Sequence, residues 1–213
     1  MADIVEIKQK QKEILKRIEK RSAHVRYSEY AIVLLLDTSG SMSGKKIEDA
    51  KEAIIDFLRS IDLVESEVGL VAFGGGILTC GLSQNRIPLE TKIKNLVVGS
   101  ETPMMTAVKT AHNLLKEKVN RVMAIATDGQ PTDASEGEIL DYAASIKKIG
   151  TRIITIGIGE DVNQQFLRLL ASSPADYHFA KASFELKNIY KEVADMLALP
   201  EKRANYLRDS KLG

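Results

Sequence analysis

"AIVLLLDTSGSMSG", residues 31–44, decides the fold. A continuous apolar run stops at an acid and gives way at once to hydroxyls and glycines. An apolar run without alternation is the pattern of a central strand covered on both faces. Downstream, "KIEDAKEAIIDFLRSI" places Ile47, Ala50, Ile54, Phe57, Leu58 and Ile61 on one helical face. The alternation then repeats. Strands are expected at "EVGLVAF", "GILTCGL", "NRVMAIATDG", "TRIITIGIG" and "DYHFAKA". Helices are expected at "PLETKIKNLVV", "TPMMTAVKTAHNLLKEK", "EGEILDYAASIKKIG", "NQQFLRLLAS" and "FELKNIYKEVADMLAL". Thr102 reads as an N-cap with Pro103 in the first helical position, and Gly150 as a helix stop. Strands alternating with helices of this length give an α/β fold, a mostly parallel, doubly wound sheet with helices on both faces. Ligands of such sheets bind beyond the carboxyl ends of the strands, where strand order switches.

The composition suits one domain with extensions: 213 residues, 44% hydrophobic, 28% charged, net charge +1. We divide the chain into a charged helical extension at 1–28, a domain at 29–199 and a tail at 200–213. The near-neutral charge, 5% aromatic content and absence of Trp argue against nucleic acid as a partner. No window approaches the roughly 18 apolar residues of a membrane span. The one cysteine, Cys80, makes no intrachain disulfide, so a cytoplasmic location is expected. In the extension, Ile4, Ile7, Ile14 and Ile18 keep heptad spacing with Gln11 in the missing slot. Two to three heptads leave two readings open, a helix on its own domain or one on a partner or second copy.

Three polar loops fall at one edge of the expected sheet. The first carries Asp37, Ser39 and Ser41, the second Thr102, and the third, "TDGQPTD", Asp128. Their hydroxyls and carboxylates are hard oxygen donors suited to Mg²⁺, Mn²⁺ or Ca²⁺. Singly, Asp37 reads as a turn residue and Asp133 as a cap of the following helix, with a role as modulator of the site as its alternative. Together the five point to a metal centre. His24, His112 and His178 share no ligand spacing. Gly74-Gly75-Gly76 reads as a turn after a strand. "GSMSGKK" is one residue short of a phosphate-binding loop, with Lys46 where Ser or Thr would be required. "DTSG" also occurs in aspartic proteases, but those need a second acid sharing a proton.

"LLLDTSGSMSGKKIEDAK" resembles the first motif of the metal-ion-dependent adhesion site of von Willebrand factor type A domains. "TPMMTAV" is similar to the second and "AIATDGQPTD" to the third, in the family's order. The resemblance spans about residues 30–198. It implies a Rossmann-like, six-stranded sheet with one antiparallel strand. It further implies hydroxyl ligation by Ser39, Ser41 and Thr102, with Asp37 and Asp128 acting through waters or hydrogen bonds. A Glu or Asp of a partner protein would complete the shell. Intracellular members of the family tend to serve in multiprotein assemblies, often beside ATPases of the AAA+ type. One departure stands out: Glu101 takes the place of the family's glycine before the threonine, and would supply the ion, block its open position, or face solvent.

The expected function is metal-dependent protein binding without chemistry, since no nucleophile is paired with a general base. Two alternatives are weighed against it. A Mg²⁺-dependent phosphotransferase of haloacid dehalogenase-like type would need an acid at position 39, which is Ser. A structural protein would use the N-terminal helix to oligomerise.

Overall fold

The computed structural model describes residues 30–197. The extension at 1–28, with its expected helix, and the tail at 200–213 lie outside the described residues. Six strands form one sheet: β1 (Tyr30–Asp37), β2 (Ser66–Phe73), β3 (Ile77–Ser83), β4 (Arg121–Thr127), β5 (Thr151–Ile158) and β6 (Tyr177–Ala180), in the order β3-β2-β1-β4-β5-β6. Every pairing is parallel except β2 with β3. Among the described residues six helices cover it: α1 (Lys45–Ser60), α2 (Arg86–Lys94), α3 (Met104–Leu115), α4 (Glu136–Lys148), α5 (Gln164–Leu170) and α6 (Leu186–Met196).

The apolar run of β1 is explained by its place. It lies between β2 and β4, so both faces are covered. Ile32, Leu34 and Leu36 pack into the layer of α1, α2 and α6. Ala31, Val33 and Leu35 pack into the opposite layer of α3, α4 and α5. Side chains alternate across a strand, so one strand anchors both cores. The stripe read for α1 is buried, from Ile47 to Ile61.

The boundaries differ in two instructive places. The helix expected over 88–98 is α2, which begins at Arg86 and ends before Asn95, so Pro88 lies in its first turn. First-turn N–H groups have no partner inside the helix, so proline costs nothing there. Asn85 caps this helix, its Oδ1 accepting from the Ile87 N–H at 3.1 Å. Pro103 is the N-cap of α3 rather than its first residue, and no side chain of the cap position takes a hydrogen bond.

The chain leaves β1 through α1 towards β2, while β4 lies on the other side of β1. The carboxyl ends of β1 and β4 therefore flank the point where strand order reverses. Asp37 ends β1 and Thr127 ends β4, so the crevice available to a ligand opens between the first and third polar loops.

Candidate metal centre

Asp37 organises the crevice. It is fully buried. Its Oδ1 accepts from the Ser39 N–H at 2.8 Å, and its Oδ2 accepts from the Thr127 hydroxyl at 2.5 Å. Burial raises the carboxyl above its ordinary value; hydrogen bonds from Thr127 and Ser39 oppose this, and the Asp128 charge adds to the rise. A cation beside it would favour the charged form.

Asp128 sits one residue past β4. Ser41 Oγ donates to its Oδ1 at 2.6 Å, and Lys46 Nζ donates to its Oδ2 at 2.6 Å. Ser39 Oγ lies 3.0 Å from Ser41 Oγ. Ser41 has one proton, and it goes to Asp128, so Ser39 is the donor of that pair. Both carboxylates are thus engaged as acceptors, while the hydroxyl oxygens keep lone pairs for a ligand.

Thr102 is held by the third loop. Its backbone N–H donates to Thr132 Oγ1, and its carbonyl accepts from the Thr132 N–H, both at 3.0 Å. Among the described residues its own hydroxyl takes no hydrogen bond. The convergence is clearest around Gly129. A Cβ there would lie 3.4 Å from Thr102 Oγ1, 3.6 Å from Asp37 Oδ2 and 3.8 Å from Ser41 Oγ. Two residues of the first loop and one of the second therefore face the same point beside the third. Among the described residues no group of three or more His, Cys, Asp or Glu could hold a metal ion. The donors here are two acids and three hydroxyls, which fit a hard divalent cation and not a soft one.

The five residues read as metal donors, Asp37, Ser39, Ser41, Thr102 and Asp128, come together. The two expected modulators do not join them. Glu101 is exposed, and its part is played by its backbone N–H, which donates to the Gly74 carbonyl at 2.7 Å. Asp133 caps a helix, but the preceding one rather than the following one. Its Oδ1 accepts from the Met105 N–H at 3.0 Å, and its Oδ2 from the Thr106 N–H and hydroxyl at 2.8 Å each. The following helix is closed by Ser135 and Glu138 in a reciprocal pair. Spacing along the chain favours the near helix; folding brings the start of α3 across to Asp133. Asp133→Ala is expected to cost about 1 kcal/mol, the usual worth of an N-cap. It should lower the urea midpoint with an unchanged slope; an unmoved midpoint would refute the capping role.

Four participants are not marked as such by the sequence. Thr127 is a polar residue ending an apolar strand, a signal that was available. Lys46 was weighed only against a phosphate loop. Gly74 presses its backbone on Thr38, the residue between Asp37 and Ser39, and Gly99 presses on Gly74 and Gly75 while donating to the Thr38 carbonyl; no local pattern marks such contacts.

The model of the von Willebrand factor type A domain family matches residues 31–192. Matrilin-4 of Mus musculus is 28% identical over 173 residues, 73% of this chain and 27% of that protein. Inter-alpha-trypsin inhibitor heavy chain H3 of Rattus norvegicus is 26% identical over 192 residues, 78% of this chain and 21% of that protein. The chain therefore spans about a quarter of the length of these relatives. The pilus adhesin SpaC of Lactobacillus rhamnosus GG, in its open conformation, superposes with a TM-score of 0.70 at 18% identity, over 79% of this chain and 30% of that one. Proximal thread matrix protein 1 of the mussel byssus, with a zinc-occupied adhesion-site motif, gives 0.68 at 18% identity, over 78% and 44%. At that identity the superpositions establish the fold alone. The family match runs from the first buried strand residue almost to the end of the last helix, and on it this chain belongs to the von Willebrand factor type A domain family.

Proposed function

We propose that the chain is a protein-binding module that captures an acidic side chain of a partner through a divalent cation and performs no chemistry. The observation that carries this is the convergence of Thr102 Oγ1, Asp37 Oδ2 and Ser41 Oγ beside Gly129. Ser39, Ser41 and Thr102 would hold the ion through their hydroxyls. Asp128 would orient the Ser41 hydroxyl, Asp37 would fix the Ser39 backbone, and both would balance charge. A cation bound mainly by neutral oxygens stays electrophilic and accepts an outside carboxylate. Mg²⁺ is the ion we favour, with Mn²⁺ and Ca²⁺ sharing its preference for oxygen. The proposal extends to a role in a multiprotein assembly, of the kind built beside AAA+ ATPases, and to the cytoplasm. The single cysteine, Cys80, is free and partly buried on β3, which suits a reducing compartment.

Affinity capture on the immobilised chain in Mg²⁺ tests the reading. A partner held by the intact chain, released by chelator and absent from a Thr102→Ala column is the expected result. Retention that ignores both chelator and substitution would reject it. The phosphotransferase alternative is tested alongside with a phosphomonoester and Mg²⁺; turnover lost in Asp37→Asn would favour that alternative.

A further inference from the structure

Lys46 is the one charged group at the centre that the proposed function leaves without a task. It lies in the first turn of α1, where the helix dipole disfavours a cation. Its neighbour Lys45 answers this with a local pair to Asp49 at 2.8 Å. Lys46 instead crosses the crevice to Asp128, at 2.6 Å. Asp128's side chain is 1% exposed and that of Lys46 38%, so the ammonium links the buried acid to the surface of the crevice. The β5 loop leaves it room: the space beside Gly159, whose φ is +83°, lies 3.8 Å from Lys46 Nζ.

Charge decides what this lysine does. Asp37 and Asp128 bring two negative charges and Lys46 one positive, so the donor set keeps one uncompensated negative charge. A divalent ion would turn this into one uncompensated positive charge. One carboxylate from outside would then bring the centre to neutrality. Without Lys46, the two acids alone would neutralise the ion, and the centre would have no net charge to attract an acid.

We propose, resting on the metal-dependent reading above, that Lys46 sets the specificity of this site: it opposes the divalent ion and strengthens the capture of the partner's carboxylate. The two effects have opposite signs, which separates them from a merely structural role. If Lys46 only held Asp128 in place, its loss would loosen the ion as well as the acid.

The test uses the full chain as wild type, Lys46→Gln and Lys46→Arg, with melting curves confirming that each folds. Mn²⁺ is titrated into each by calorimetry. Lys46→Gln should bind Mn²⁺ about tenfold more tightly, because a like charge a few ångströms away is removed. Lys46→Arg should stay within about threefold of wild type, since the charge is kept. Glutarate, a carboxylate of the Glu type, is then titrated into the Mn²⁺-loaded proteins and followed by the loss of water-proton relaxation as bound water is displaced. Lys46→Gln should bind glutarate several-fold more weakly, and Lys46→Arg as wild type does. Unchanged or looser Mn²⁺ binding in Lys46→Gln, or equal glutarate affinity, would overturn the role of Lys46 while leaving the metal reading standing. A wild type that binds no Mn²⁺ would overturn both.

Discussion

Asp37→Ala is expected to abolish the rise in melting temperature that Mg²⁺ or Mn²⁺ gives the intact chain. A ligand that binds only the native state stabilises it by about 2.7 kcal/mol at a hundred times its dissociation constant. For a domain of this size that corresponds to roughly 5–10 °C. The substitution removes a carboxylate and also unlatches two loops, because Asp37 holds the Ser39 N–H with one oxygen and the Thr127 hydroxyl with the other. The metal-free baseline should fall as well. Losing the acceptor strands two buried donors, at about 1–3 kcal/mol each. Against that, removing a carboxyl whose charged form burial disfavours returns part of the loss. Ser39→Ala and Thr102→Ala each delete one candidate donor and should reduce the shift without erasing the fold. An undiminished shift in Asp37→Ala would place the cation elsewhere.

The second large effect concerns glycines with no chemistry of their own. A Cβ on Gly74 would lie 2.2 Å from the Thr38 carbonyl oxygen, and one on Gly99 would lie 2.1 Å from the Gly75 nitrogen. The obstructing atoms are backbone, with no flexible side-chain end to swing aside. Hydrogen bonds lock the stack: Thr38 N–H to Phe73 O at 2.8 Å, Gly99 N–H to Thr38 O at 2.7 Å and Glu101 N–H to Gly74 O at 2.7 Å. Gly74→Ala or Gly99→Ala must therefore displace the loop between Asp37 and Ser39, or the segment leading to Thr102. We expect a loss of about 3 kcal/mol, the upper range for overpacking, together with a weakened response to Mg²⁺. Gly137→Ala is the control, since a Cβ there meets nothing within 4 Å. It sits in α4 and should be neutral or stabilising by up to about 1 kcal/mol. A Gly99→Ala protein that melts with the wild type would show that the close stacking is not needed.

What the sequence made legible follows the range of the interactions. The β1 run announced a strand covered on both sides because burial on two faces erases alternation. The helix stripes were readable because their contacts repeat every three or four residues. The convergence of the five residues proposed as donors is legible because they lie at the end of β1, just after it, just after β4 and just before α3, and a parallel sheet brings such ends to one edge. The misreadings involve partners far apart in the chain. Asp133 lies two residues before Ser135, the cap of α4, yet its oxygens serve α3, 27 and 28 residues back. In the sequence Lys46 stands out only as a residue where a phosphate loop would need Ser or Thr, and its partner Asp128 is 82 residues away. The triple glycine is the turn between β2 and β3 that the sequence indicates; what the sequence does not show is its steric contact with Thr38 and Gly99, and the left-handed conformation is needed at Gly76 alone among the three, where φ is +120°. Glu101 drew attention as an acid in place of a family glycine; the close-packed glycine in this segment is Gly99.

The most direct measurement is anomalous diffraction from crystals of the intact chain soaked in Mn²⁺. The account predicts one strong peak in the crevice beside Gly129, within bonding distance of the Ser39, Ser41 and Thr102 hydroxyl oxygens and absent from Asp37→Ala crystals. A peak elsewhere, or one unchanged in Asp37→Ala, would contradict it.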